Sequence, residues 1–205
     1  MQSTDRDRRG YCFAALCIGL IILVQGAGAL SAEYWLAPNG TQVHTEFDTG
    51  PVGEYVFMET GLLGEQIPQQ VSNVTISNTS CSDCRYVQDG EFRIHFSPGN
   101  YTLKYDSPVR DNHLQGGFNE PYNVTVHLPA AYDVRNPFLG SFSRDANVTV
   151  EAGGGVRIAW SLTNSWDVRF YNHTQETFFI LFGSIWIAAA VVLFIPYYLL
   201  KRKGK

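Results

Sequence analysis

Cys81-Ser82-Asp83-Cys84 is the one C-x-x-C in this chain of 205 residues. Two thiols three positions apart can form a redox couple, half of a metal site or a tight disulfide. A redox couple depends on a lowered thiol pKa, commonly supplied by a helix N-terminus. Here Asn78-Thr79-Ser80 and Arg85-Tyr86-Val87 flank the pair and read as a loop between strands. A tetrahedral zinc site needs four ligands, and the other two cysteines, Cys12 and Cys17, sit far away in an N-terminal apolar stretch. The expectation is a structural disulfide between Cys81 and Cys84, with thiol redox chemistry as the alternative.

The other candidates for chemistry are dispersed. His44, His95, His113, His127 and His173 show none of the i, i+2 or i, i+4 spacings of a ligand cluster, and they read as solvated surface residues. Asp106 with Asp111, or Asp83 with Asp89, are the nearest approach to a calcium loop, and neither fits EF-hand spacing. There is no Gly-x-Ser-x-Gly, Walker loop or His-Glu-x-x-His. Gly153-Gly154-Gly155 precedes a strand rather than a helix, so it reads as a turn and not a phosphate cradle. No catalytic, cofactor-binding or metal residue is expected, and the protein is not expected to be an enzyme.

What the chain has in abundance is N-x-Ser/Thr. The asparagines of these sequons are Asn39, Asn73, Asn78, Asn100, Asn123, Asn147 and Asn172. With 11 Asn, and 26 Ser plus Thr, chance gives roughly one or two such triplets, since only the third position is constrained. Seven predicts N-glycosylation, and therefore an external compartment. Asn172 stands six residues before the start of an apolar run, close for a transferase to reach.

That run, Phe178–Leu200, has 23 residues without Asp, Glu, Lys, Arg or His. At 1.5 Å rise it is roughly 35 Å long as a helix, enough to cross a hydrocarbon core with some tilt. Lys201, Arg202, Lys203 and Lys205 follow, which places residues 201–205 in the cytoplasm by the positive-inside rule. Ser184 and Ala188, beside Gly183, form a small-x-x-x-small step of the kind used in helix packing. At the other end, Arg6, Arg8 and Arg9 precede an apolar core and Ala27-Gly28-Ala29, the order of a signal peptide over residues 1–29. Cleavage after Ala29 is expected, after Ala32 is the alternative, and an uncleaved signal anchor is the competing topology.

Between the two lies Glu33–Glu176. It contains 17 acidic and 8 basic residues, net −9, where the whole chain is −4. An acidic surface of this kind argues against nucleic acid or anionic lipid as its partner. Period-two alternation dominates this segment. Asn73–Ser77, Glu91–Phe96, Asn123–Leu128, Asn147–Val150 and Val156–Trp160 all alternate, and several sequon asparagines fall on their polar side. Turns such as Asp89-Gly90, Pro98-Gly99 and Asn136-Pro137 separate them at spacings that suit a β-sandwich. Glu59–Gln70 alone has room for a short helix, broken by Gly61, Gly64 and Pro68. The polar stretch Ser107–Asn119 is the expected boundary if there are two subdomains. Asp133–Gly140 reads as a strand ending in a Pro-fixed turn anchored by Phe138 and Leu139, with a recognition loop as the alternative. Trp160, Trp166, Phe170 and Tyr171 read as core, with a role on the membrane surface as the alternative. The predicted fold is an all-β external domain, a β-sandwich of Ig-like or transthyretin-like type, carried by one C-terminal transmembrane helix.

Two resemblances add to this. Asp89–Ile94 followed by Ser97-Pro98-Gly99-Asn100-Tyr101-Thr102-Leu103 resembles the strand–turn–strand signature of carboxypeptidase-regulatory-like, transthyretin-type modules, a likeness of about 15 residues. The succession Gly61–Pro68, Val126-His127-Leu128-Pro129, Asp133–Gly140 and Val156–Trp160, ending in one span and a basic tail, is similar to an archaeal membrane family, domain of unknown function 5803. That resemblance implies an archaeal cell surface, an N-terminal export signal, a β-rich external region and one C-terminal span. It implies no activity or cofactor. Haloarchaeal relatives carry a lipobox, which Leu16-Cys17 departs from. The expected role is a surface domain with a structural or binding function. The alternative is an accessory subunit that meets a protein partner in the membrane through its helix.

Overall fold

The alternating segments become strands. In the computed structural model, which describes residues 29–61 and 65–203, they are β1 (Leu30–Leu36), β2 (Gln42–Asp48), β3 (Val52–Val56), β4 (Met58–Thr60), β5 (Gln66–Pro68), β6 (Ser72–Ser77), β7 (Val87–Asp89) and β8 (Arg93–Gly99). There follow β9 (Thr102–Pro108), β10 (His113–Leu128), β11 (Tyr132–Asp133), β12 (Ser141–Phe142), β13 (Asn147–Val150), β14 (Val156–Arg169), β15 (Tyr171–Asn172) and one helix, α1 (His173–Lys203). Residues 1–28 of the expected signal segment lie outside the described residues.

Eight strands make one sheet in the order β12-β14-β10-β1-β2-β9-β6, with β13 also on β14. β1 runs parallel to β10 and antiparallel to β2. A parallel pair needs a long connection, and here the chain travels through β2–β9 before β10 returns beside β1. Ser107–Asn119, read as a subdomain boundary, is the end of β9, a short turn and the first half of β10, all within this sheet. Gly116 belongs to β10 for a packing reason. A Cβ there would stand 2.7 Å from Trp166 Nε1 and 3.0 Å from its Cε2, so the glycine makes room for the indole of the neighbouring strand. Glu59–Gln70 is not helical where described, and β4 and β5 pair as a hairpin.

Pleating puts alternate residues on opposite faces. One row across the sheet is Ile158, Val126, Tyr34, Thr45 and Tyr105, all buried. The next row, on the other face, is Arg157, His127, Trp35, His44 and Asp106. The buried face is covered in part by a three-stranded sheet, β3-β8-β7. Phe57 sits in this joint. It stacks edge-on against Tyr55 and Tyr105, each with ring centroids 5.1 Å away, and Phe47 meets Tyr55 at the same distance. Trp160, Trp166, Phe170 and Tyr171 are all buried, as core residues.

The domain passes directly into α1. β15 pairs with β11, and Asn172 then caps the helix. Its Oδ1 accepts from the Gln175 N–H at 2.8 Å, while Gln175 Oε1 accepts from the Asn172 N–H at 2.9 Å. This reciprocal pair is a capping box with Asn in the first position. Glu176 adds a favourable charge in the first turn. The helix contains the whole 178–200 run. The most apolar 18-residue window of its stretch His173–Ile195 has mean hydropathy 2.7, and none of that window is buried against the domain.

Candidate functional site

Cys81 and Cys84 are disulfide-bonded, with Cα atoms 5.5 Å apart. The loop is fastened to the edge strand β6: Cys84 N–H donates to Ile76 O at 2.7 Å, and Asn78 Oδ1 accepts from the N–H groups of Ser80 and Cys81 at 2.8 and 2.9 Å. No helix begins there, so the usual means of activating a thiol is missing from this loop. An open trough lined by Asp83, Arg85, Tyr86, Val87 and His95 runs beside it. Converting both cysteines to serine is expected to lower stability by about 2 kcal/mol, the entropy of so short a closed loop. A denaturation curve of the oxidised and double-serine proteins checks this, and an unchanged midpoint would contradict a stapling role.

Asn39, Asn73, Asn100, Asn123 and Asn147 are exposed, whereas Asn78 and Asn172 are half-buried. The last two also spend their side-chain oxygens on caps, of the disulfide loop and of α1. Asn123 lies at the bulge between β10 and β14, where Leu162 takes a left-handed φ of +52° and donates its N–H to Asn123 Oδ1 at 3.1 Å.

Strand pairing brings His44 and His127 to either side of Trp35 on the outer face. His127 stacks on the indole with centroids 5.5 Å apart, and His44 is tilted at 5.8 Å. Each histidine has a carboxylate: His44 Nδ1 is 2.6 Å from Asp106 Oδ1, and His127 Nδ1 is 3.1 Å from Glu151 Oε1. The Asn73 amide, donating to Asp106 Oδ2 at 2.6 Å, holds that carboxyl below its ordinary 3.8, and His44 contributes in the same direction against the cost of burial. His95 lies near Asp89 and Glu54, and His173 near Glu176. Among the described residues, no three of His, Cys, Asp or Glu stand together as a metal site. The row was not legible in the sequence, because His44 and His127 become neighbours of Trp35 only through pairing across 83 positions.

The buried face carries a second, more enclosed concavity. Where β3-β8-β7 leaves the main sheet uncovered, a cleft of about 480 Å³ opens between the sheet, the β4–β5 hairpin and the first half of β10. Its depth is lined by Tyr34, Thr45, Tyr55, Tyr105 and Ser107, and its rim includes Glu59, Arg110, His113 and Arg169. Gln115 Nε2 donates to Thr60 O at 2.5 Å and ties the hairpin to β10, while Arg110 pairs with Glu59 at 3.4 Å. Burial pushes the Tyr34, Tyr55 and Tyr105 phenols well above their ordinary range, so they are neutral hydrogen-bonding groups at physiological pH. Among the described residues, the buried Trp166 N–H at one side finds no hydrogen-bond acceptor. Neutral hydroxyls within and ionic groups at the rim are the chemistry of a binding cleft.

The loop between β11 and β12 stands against α1. Asp133 accepts from the N–H groups of Val134 and Arg135 at 2.7 and 2.9 Å and holds the Arg135 guanidinium through its Nε and Nη2. Burial raises the Asp133 pKa, but the Arg135 and backbone hydrogen bonds outweigh it, and the carboxyl lies below its ordinary 3.8. A depressed carboxyl stabilises the fold in full above its unfolded value and loses that contribution as pH falls through the folded one. Stability is therefore expected to decline from about pH 4 downward, less steeply in Asp133→Asn. Equal acid profiles for the two proteins would contradict this. Phe138, expected to anchor the Pro-fixed turn, is 79% exposed and stacks on Phe179 of α1 with centroids 5.6 Å apart.

Compared with models of known protein families and with curated proteins, the chain matches none of them.

Proposed function

We propose that this chain is a single-span surface protein whose external, N-glycosylated β-domain has a binding role. The observation that carries the reading is α1, an apolar helix whose most apolar window is nowhere buried in the domain it is capped onto. Exposed sequon asparagines on the domain support an external address. The cleft of neutral hydroxyls supports binding of a small polar ligand. The eight-stranded sheet, faced on part of its area by three strands, fits an unequal β-sandwich. A cut after Ala29 leaves β1 whole, whereas a cut after Ala32 removes residues 30–32, which pair with Tyr122–Val124 of β10. Signal cleavage after Ala29 is therefore the favoured start of the mature chain. The resemblance to the archaeal family rests on the residues quoted above and sets no activity.

The sequons give the test. Asn→Gln variants at positions 39, 73, 100, 123 and 147 are each expected to lose one glycosidase-sensitive mass step. Variants at 78 and 172 are expected to lose none. A chain whose mobility no glycosidase alters would contradict the external reading. The alternative, an accessory subunit docked through α1, is marked by a stoichiometric membrane partner that co-purifies in mild detergent and is lost on Ala188→Leu.

A further inference from the structure

The β11–β12 loop has an apolar tip, Pro137-Phe138-Leu139, and Phe138 at its apex is one of the most exposed large apolar side chains of the external domain. Its ring lies nearly parallel to that of Phe179, at an interplanar angle of 25°. Phe179 is the second residue of the apolar run that begins at Phe178. A side chain stacked on it stands at the depth where the helix enters the hydrocarbon.

The backbone of the loop is prepared for such a place. Val134 and Arg135 donate their N–H groups to Asp133 Oδ1. Asn136 donates to Tyr171 Oη at 3.1 Å, and Phe138 donates to Asn136 Oδ1 at 3.1 Å. Leu139 and Gly140 donate to Asn136 O at 3.1 and 2.9 Å. Pro137 has no N–H. Every backbone donor from 134 to 140 is thus satisfied within the protein, and unsatisfied donors are what bars irregular backbone from an apolar layer. The loop is also held in place from beneath. A Cβ at Gly140 would stand 2.6 Å from Val134 O, so the chain turns back closely under its own start.

We propose that the Pro137–Leu139 tip enters the interface between headgroups and acyl chains of the bilayer that α1 spans, as a second anchor beside the helix. The inference rests on the reading of α1 as a membrane span. One helix leaves the domain free to swing, and a second contact to one side fixes which face of the domain turns outward. The occupant is lipid, because the exposed ring is continuous with the lipid-exposed start of the helix.

The test uses the full chain in phospholipid nanodiscs, with Cys12 and Cys17 changed to serine and the Cys81–Cys84 bridge kept. A nitroxide is placed at one of three exposed positions through Phe138→Cys, Val87→Cys or Val192→Cys, and its collisions with oxygen and with a water-soluble nickel chelate are compared. Val87 serves as the aqueous reference and Val192 as the mid-span reference. The label at 138 is expected to favour oxygen over nickel, with a ratio between the two references. A ratio at 138 equal to that at 87, with 192 protected from nickel, overturns the proposal and leaves the span intact. A label at 192 as open to nickel as that at 87 overturns the span itself, and the proposal with it.

Discussion

Replacing Phe57 with alanine is expected to cost the folded domain about 3–5 kcal/mol, the range for a buried phenylalanine whose cavity cannot collapse. Phe57 is 1% exposed and lies between the small sheet and the large one, against Tyr55 and Tyr105. Its backbone is committed as well, donating to Phe92 O at 2.7 Å and accepting from Gln69 N–H at 3.0 Å. The neighbouring rings come from strands tied by other hydrogen bonds, so the void persists. Loss of the ring also loosens β3-β8-β7 from its seat and widens the cleft beside it. Denaturation of the full chain in detergent measures the loss. A cost below about 1 kcal/mol, the size of a tolerated volume-conserving swap, would show that the two sheets are not joined here.

The second large effect lies in the helix. Arginine at the centre of a span costs about 2.5–3.5 kcal/mol on insertion scales, so Ile187→Arg with Val191→Arg costs about 5–7 kcal/mol. Both positions are exposed on α1, and their i, i+4 spacing places both charges on one face. The double variant is expected to move from the membrane pellet to the alkaline-extractable fraction, with the β-domain still folded, since none of that helix's most apolar window is buried in the domain. Retention in the pellet would mean that something other than α1 holds the protein there.

The alternating segments were legible because each buries one face only. Val124, Val126 and Leu128 point inward as expected, and so do Val156, Ile158 and Trp160. The C-terminal helix was legible because 23 residues without an ionisable side chain form one unbroken apolar run, long enough to cross a membrane. What stayed hidden depends on pairing between distant segments. Gly116-Gly117 has the composition of a turn, and only the position of the Trp166 ring shows why Gly116 belongs to a strand. Phe138 has the composition of a core anchor, and only the start of α1 beside it shows that its ring faces outward. The cleft is assembled from β1, β2, β9, β10, β14 and the β4–β5 hairpin, none of which announces a site by itself.

The proposed topology is a domain outside and a tail inside, joined by one crossing. It is tested most directly by a membrane-impermeant maleimide on intact cells, with Cys12 and Cys17 replaced by serine. Single cysteines are introduced by Val87→Cys in the exposed β7 strand and by Lys205→Cys at the end of the tail. Position 87 is expected to be labelled on intact cells, and position 205 only after the membrane is opened. Labelling of 205 on intact cells, or protection of 87 until lysis, would contradict it.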